Sequence, residues 1–256
     1  MNAEPSSGGA LLEVRGLSKR FGSLRALDGV DLDVAEGSLT GLIGPNGAGK
    51  STAFSCIAGA DKPSAGSVRF RGREIAGLAY HRVAALGIGR TYQIVQTFAD
   101  MTVLEAVTTA ALLRHPRVHD AIAYAEEVLA FAGLADKRNR LGRALTIADK
   151  KRLEVARALA TEPALLLLDE VMAGLTPSEC HDAVALLRQI VARGITVLMV
   201  EHVMEVLMPI ADHVVVIAAG KTIFSGDAPA AVRDPRVIEA YLGSPLEHGE
   251  IAERAP

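Results

Sequence analysis

The stretch Gly44-Pro-Asn-Gly-Ala-Gly-Lys-Ser51 decides the fold class, because it fits the pattern G-x-x-x-x-G-K-[ST]. The apolar run Leu39–Ile43 just before it predicts a strand, and a helix-compatible stretch starts at Lys50. The glycines let successive backbone N–H groups face an anion, and the helix N-terminus adds its positive dipole end. We expect Lys50 to reach the β- and γ-phosphates and the Ser51 hydroxyl to ligate Mg²⁺. The sequence therefore predicts a site for a nucleoside triphosphate.

Two carboxylates follow a second apolar run, in Leu165-Leu-Leu-Leu-Asp-Glu170. The carboxyl ends of strands are where α/β proteins hold ligands, so we expect Asp169 to hold Mg²⁺ through water and Glu170 to polarise the attacking water. His202 follows the apolar run Thr196–Val200 in the same manner, which places it to donate a hydrogen bond to a γ-phosphate. The alternative for a lone histidine is an ordinary surface or core position.

Strand-like runs alternate with helical stretches along the chain, which predicts an α/β sheet with parallel crossovers. We expect strands at 11–14, 38–43, 165–168, 196–200 and 214–217, and helices at 50–58, 177–193 and 203–210. Helical periodicity at 103–113, 121–131 and 149–160 predicts a helical lobe inserted into this core.

The composition excludes several classes of protein. The 256 residues carry 27 Lys+Arg against 30 Asp+Glu, and half of them are apolar. These values exclude an intrinsically disordered chain and argue against a dedicated nucleic-acid binder. The two cysteines match no CxxC spacing, which favours a reducing cytosol. The apolar runs are shorter than the roughly 18–20 residues that span a bilayer.

With these motifs the sequence resembles an ATP-binding cassette (ABC) ATPase, the energy-supplying subunit of an ABC transporter. The resemblance implies a P-loop NTPase (RecA-like) core with an inserted α-helical subdomain, and it implies ATP and Mg²⁺ as cofactors. We place this domain at 11–243, with the core at about 11–93 and 161–243, the helical subdomain at about 94–160, and flexible tails at 1–10 and 244–256.

The resemblance also assigns roles to individual residues. It makes Glu170, His202 and Gln93 catalytic, and it makes Ser51, Gln93 and Asp169 metal ligands. Nucleotide contacts are implied for Phe21, Gly44, Pro45, Asn46, Gly47, Ala48, Gly49, Lys50, Ser51, Thr52, Thr146 and Asp149. Phe21 takes the position that stacks on adenine, for which a flat π-face suffices. Gln93 matches the glutamine that touches Mg²⁺ and water in the family and relays contact to the membrane subunit.

Four segments are similar to branched-chain amino acid importers, and the length and helical insert favour the longer of their two ATPase subunits. The segments are Gly87-Ile-Gly-Arg-Thr-Tyr-Gln93, Phe98-Ala-Asp-Met-Thr-Val-Leu-Glu105, Glu201-His-Val-Met204 and Val237-Ile-Glu-Ala-Tyr-Leu-Gly243. This similarity implies a subunit that powers import of branched-chain or related amino acids through Mg-ATP-driven dimer closure. The alternatives are a lipopolysaccharide-export-type ABC ATPase, which shares the Tyr-Leu-Gly ending, and a soluble non-transport ABC ATPase.

The same similarity implies partners and a location. The partners are a second ABC ATPase subunit in a homo- or heterodimer, integral-membrane permease subunits and, indirectly, a periplasmic or extracellular solute-binding protein, with no nucleic acid. The location is peripheral, at the cytoplasmic face of the bacterial inner membrane.

One segment departs from the family pattern. Leu145-Thr-Ile-Ala-Asp149 stands where the signature Leu-Ser-Gly-Gly-Gln belongs. Thr146 keeps a hydroxyl for the γ-phosphate, but Ile147 and Ala148 replace both glycines and add Cβ atoms where the backbone approaches the phosphate closely. Asp149 also brings a negative charge near a polyanion, at a cost of about 1 kcal/mol or more. We expect the basic run 150–152 to offset this charge, and Asp149 to accept a hydrogen bond from a ribose hydroxyl. Two interpretations follow. Either the altered signature at 145–149 is tolerated and the protein is fully active, or the protein forms a heterodimer in which the two ATP sites are unequal.

Overall fold

The computed structural model describes residues 10–91 and 99–242. Gln93 and most residues of the two expected tails lie outside these ranges. Within them, no helix is both long and apolar enough to cross a membrane.

The strands and helices alternate for most of the chain. The strands are β1 (Ala10–Phe21), β2 (Leu24–Ala35), β3 (Leu39–Ile43), β4 (Ala65–Phe70), β5 (Arg73–Glu74), β6 (Ile88–Arg90), β7 (Leu165–Asp169), β8 (Thr196–Val200), β9 (His213–Ala218) and β10 (Lys221–Gly226). The α-helices are α1 (Lys50–Ile57), α2 (Tyr80–Ala85), α3 (Val103–Ala111), α4 (Val118–Phe131), α5 (Ile147–Leu159), α6 (Pro177–Ala192), α7 (Met204–Leu207), α8 (Ala228–Ala231) and α9 (Pro235–Leu242). Short 3₁₀ turns lie at Ala135–Lys137 and Gly142–Ala144.

In the described ranges, a six-stranded sheet of order β10-β9-β3-β8-β7-β6 forms the centre of the fold. All neighbouring strands in it are parallel except the β9–β10 pair. Every residue of β3, β7 and β8 is buried, because the sheet is covered on both faces. The prediction of parallel strands from these continuous apolar runs is confirmed, and the order brings the carboxyl ends of β3, β8 and β7 side by side.

A second sheet, of order β2-β1-β4-β5, is antiparallel and is not among the features predicted from the sequence. The strand expected at 11–14 is part of β1, which pairs antiparallel with β2 and β4. Only two residues separate β1 from β2, and so short a turn joins antiparallel strands. The signal that was missed is the alternation in Val30-Asp-Leu-Asp-Val34, where the apolar residues are buried and the aspartates are not.

Helices α3, α4 and α5 coincide with the three stretches of helical periodicity. Their apolar faces, represented by Val107, Ala125 and Leu153, share one buried cluster with Leu166 and Leu168 of β7. The other face of the central sheet contacts α1 and the antiparallel sheet, through residues such as Leu42, Phe54, Leu165 and Leu167. Alternate residues of β7 therefore belong to different clusters, and the strand end at Asp169 is fixed from both sides.

Candidate functional site

The loop between β3 and α1 has a backbone that only glycine fits at two positions. Gly44 has φ 151°, and a Cβ there would lie 2.0 Å from the carbonyl oxygen of Ile217. Gly49 has φ 104°, and its Cβ would lie 2.6 Å from the carbonyl oxygen of Ala26. The glycines are therefore required by close backbone contacts as well as by the curl of the loop.

Lys50, the first residue of α1, is buried beneath this loop. Its ammonium donates to the carbonyl oxygens of Gly44 at 2.7 Å and Pro45 at 2.9 Å. Burial lowers the pKa of Lys50, and the nearby charges of Glu170 and Asp169 oppose that shift. The ammonium of Lys50 therefore lies at the glycine-rich loop, and its contact with the β- and γ-phosphates stays a prediction.

Asp169 ends β7 and is only 3% exposed. Its Oδ2 lies 3.4 Å from Nη2 of Arg90, and its Oδ1 has no hydrogen-bond partner among the described residues. Burial raises the pKa of Asp169, and the Arg90 guanidinium opposes the rise. A buried carboxylate oxygen that receives no hydrogen bond is suited to a cation or to its bound water.

These residues fit Mg²⁺ rather than a metal held by the protein alone. In the described ranges, no group of three or more His, Cys, Asp and Glu side chains could hold a metal ion. Mg²⁺ is usually bound by one or two protein oxygens together with substrate phosphates. The Ser51 hydroxyl and Oδ1 of Asp169, which has no hydrogen-bond partner among the described residues, would supply such oxygens.

Glu170 and His202 form a pair at the ends of two neighbouring strands. Nε2 of His202 lies 2.7 Å from Oε1 of Glu170. Glu170 has φ 50°, in the left-handed region, and its N–H donates to the carbonyl oxygen of Val200 at 2.9 Å. The two side chains that the sequence singled out separately are thus brought into direct contact.

A cleft of about 430 Å³ unites most of the predicted nucleotide residues. It is lined by Phe21, Asn46, Gly47, Ala48, Gly49, Lys50, Ser51, Thr52, Glu170 and His202, together with the hairpin residues 24–26. Phe21 is 46% exposed, and the Lys19 ammonium lies 4.7 Å from the centre of its ring. The cleft joins an anion-binding loop, an exposed aromatic ring and a carboxylate–imidazole pair.

Thr146 and Asp149 do not line this cleft. They lie at the start of α5, where the Thr146 hydroxyl accepts a hydrogen bond from the Asp149 N–H at 3.2 Å. Burial raises the pKa of Asp149, but hydrogen bonds from Lys137, 2.6 Å away, and from Thr146 outweigh burial, so that the pKa lies below its ordinary value. The direct contact comes from Lys137, which the sequence did not single out, while Arg152 of the run 150–152 also lowers the pKa of Asp149 through its charge.

Sequence reasoning missed three polar residues that hold the site. The Thr91 hydroxyl accepts from the Asp169 N–H at 3.1 Å, Lys151 donates to the carbonyl oxygen of Glu170 at 2.7 Å, and Glu201 accepts from the Met172 N–H at 2.8 Å. The local signals are the position of Thr91 near the end of a predicted motif and that of Glu201 directly after the predicted strand 196–200, which by itself indicates a structural role.

Comparison with known proteins identifies the family. A family model described as ABC transporter matches residues 27–173. The high-affinity branched-chain amino acid transport ATP-binding protein BraF of Pseudomonas aeruginosa is 40% identical over 250 residues, covering 91% of this chain and 98% of BraF. The corresponding protein LivG of Salmonella typhimurium is 37% identical over 249 residues, with the same coverage. The crystal structure of a nucleotide-free ATP-binding cassette from an ABC transporter has a TM-score of 0.85 at 30% identity, covering 92% of this chain and 100% of that one. The chain therefore belongs to the ABC transporter family and has the α/β fold of its ATPase cassettes.

Proposed function

We propose that this chain is the ATP-hydrolysing subunit of an ABC importer for branched-chain or related amino acids. The observation that carries the proposal is one cleft that holds both the phosphate loop and the Glu170–His202 pair. BraF and LivG are branched-chain amino acid transport proteins that align with this chain over 98% of their length. The names of these two relatives support branched-chain amino acids as the class of solute that we propose for this transporter.

Different residues of the cleft bind different parts of ATP. The phosphates lie on the N–H groups of the 44–49 loop, and Lys50 exchanges its bonds to the Gly44 and Pro45 carbonyl oxygens for phosphate oxygens. Phe21 stacks on the adenine. Ser51 and Asp169 would hold Mg²⁺, which offsets negative charge on the phosphate oxygens when it is bound.

Hydrolysis then depends on the carboxylate–imidazole pair. Glu170 orients a water for in-line attack on the γ-phosphate and accepts its proton. His202, in contact with Oε1 of Glu170 at 2.7 Å, fixes the direction of that carboxylate and donates to the γ-phosphate. Catalysis consists mostly of positioning and charge stabilisation. We retain Gln93 as a further contact to Mg²⁺ and water.

The proposal includes an assembly. A second ABC ATPase subunit, identical or different, completes each ATP site with residues equivalent to 145–149, and ATP closes the dimer. Integral-membrane permease subunits hold this dimer at the cytoplasmic face of the bacterial inner membrane, with Gln93 relaying the contact. A solute-binding protein outside the membrane delivers the amino acid to the permeases.

Reconstitution tests the proposal. The chain is co-expressed with the permease subunits and the second ATPase of a branched-chain amino acid importer, and ATP-driven leucine uptake is measured in proteoliposomes. We expect Glu170→Gln to abolish hydrolysis and uptake while ATP binding persists, and the matched control Glu127→Gln, at an exposed position on α4, to behave as wild type. Failure to copurify with a multi-spanning membrane protein, or hydrolysis without uptake of any branched-chain amino acid, contradicts the proposal.

A further inference from the structure

We propose that Lys151 is a positioning residue that holds the catalytic loop through the main-chain carbonyl of Glu170. The proposal rests on the function given above, since it takes Glu170 as the catalytic carboxylate. Lys151 belongs to α5, and its ammonium donates to the carbonyl oxygen of Glu170 at 2.7 Å. The contact joins the helix that begins at the signature segment to the loop that follows β7.

Glu170 needs an external restraint because its backbone is strained. A residue with a Cβ rarely occupies the left-handed region, and such conformations persist only where the surroundings hold them. Its N–H donates to the carbonyl oxygen of Val200 at 2.9 Å, and its carbonyl oxygen accepts from the Lys151 ammonium at 2.7 Å and from the Ala173 N–H at the longer distance of 3.4 Å. Of these two donors to the carbonyl oxygen, the charged ammonium makes the stronger hydrogen bond.

The other end of the loop is held from β8. The Met172 N–H donates to Oε1 of Glu201 at 2.8 Å, and Glu201 is only 1% exposed. Burial raises the pKa of Glu201, and the charge of Lys151 is among the influences that oppose the rise. Burial lowers the pKa of Lys151, against the charges of Glu201 and Glu170. Lys151 thus lies near the carboxylates of Glu201 and Glu170, and its hydrogen bond restrains the peptide group that follows Glu170.

The restraint acts on the direction of the Glu170 side chain and not on nucleotide binding. Lys151 does not line the nucleotide cleft, whereas Glu170 does. Loss of Lys151 frees the peptide after Glu170 and so disturbs the 2.7 Å contact with His202. The turnover rate falls, while the phosphate loop keeps its geometry.

The matched control is Lys150, which precedes Lys151 on α5. Its side chain makes no hydrogen bond or ion pair with any residue in the part of the chain that the structure describes. In the assembled transporter we expect Lys151→Met to lower kcat for ATP at least tenfold with KM and ADP affinity unchanged. Lys151→Arg, which keeps a charged donor, should recover kcat to within about threefold of wild type, and Lys150→Met should leave it unaltered. Equal losses in both methionine variants, or a Lys151→Met defect confined to KM, overturn the proposal.

A double-mutant cycle on the unfolding temperature of the full chain tests the contact between Lys151 and Glu170 without an activity measurement. Glycine takes the left-handed conformation without strain, so Lys151→Met should lower the unfolding temperature less in a Glu170→Gly background than in the wild type. Equal shifts in the two backgrounds overturn the positioning role even if the transporter hydrolyses ATP. A wild type without ATPase activity contradicts the proposed function instead, and unequal shifts then still support the restraint on residue 170.

Discussion

Replacing Thr91 by valine should weaken the sheet at Asp169, the residue proposed to hold Mg²⁺. Strand β6 ends at Arg90, so it offers no backbone acceptor to the N–H of Asp169 on the neighbouring strand. The Thr91 hydroxyl supplies that acceptor at 3.1 Å. Thr91 is completely buried, so no water replaces the hydroxyl when valine takes its place, and the N–H of Asp169 is left without a partner.

The size of the effect follows from a comparison with Thr40 on β3. Thr40 is equally buried, but its hydroxyl has no hydrogen-bond partner among the described residues. Thr40→Val therefore removes an unsatisfied polar group and should stabilise the chain by about 1 kcal/mol. Thr91→Val makes the same change of shape but leaves a buried N–H unpaired, at a cost of about 1–3 kcal/mol. The free energies of unfolding of the two variants should differ by about 2 kcal/mol or more.

Urea unfolding of the full chain, followed by circular dichroism, measures both free energies. A second readout is the Mg²⁺ concentration that half-saturates nucleotide binding, which should rise in Thr91→Val and stay unchanged in Thr40→Val. If the two variants change the free energy of unfolding by the same amount, the bond from Thr91 does not support Asp169, and the physical argument fails.

Three further predictions concern the phosphate loop, the start of α5 and the dimer. Gly44→Ala should cost about 3 kcal/mol and abolish ATP binding because of the backbone clash, whereas Gly47→Ala, with open space around its Cβ, should cost only about 1–2 kcal/mol; thermal unfolding and nucleotide titration separate them. The pKa of Asp149 is held below its ordinary 3.8, so its contribution to stability is present above that pH and is lost as the pH falls through the lowered value. Lys137→Met removes the hydrogen bond and the nearby charge that oppose the effect of burial on Asp149, so the part of the stability that is lost on acidification should become smaller in acid unfolding curves. In a heterodimer, Glu170→Gln and the equivalent change in the second ATPase should reduce hydrolysis unequally, and equal reductions reject the idea of two unequal sites.

The sequence predicts the central sheet well because two physical signals coincide there. Strands β3, β7 and β8 are buried on both faces, which requires continuous apolar runs, and each is followed by the residues that line the cleft. Parallel order then brings those residues to one edge. The contact between Glu170 and His202 is a consequence of strand order that neither motif contains by itself.

The antiparallel sheet and the supporting contacts are harder to predict for different reasons. The alternation of apolar and acidic residues in β2 is a local signal of a strand. It is weaker than the continuous apolar runs of the central strands, from which the sheet is predicted. The bonds that Thr91 and Lys151 make are not local, since their partners lie 78 and 19 positions away. Hydrophobic periodicity carries no information about which lysine of the run 150–152 turns towards a particular carbonyl oxygen.

The start of α5 changes the physical basis of the unequal-site hypothesis. The sequence raises two objections to a normal signature, the added Cβ atoms of Ile147 and Ala148 and the charge of Asp149. In the structure that carboxylate lies 2.6 Å from the Lys137 ammonium and is buried, so most of its charge is neutralised within its own subunit. The side chain that stands outward is Ile147, which is 63% exposed at a position where the family has glycine. In the proposed heterodimer, a weaker site therefore results from the bulk of Ile147 close to the partner's phosphates rather than from electrostatic repulsion by Asp149.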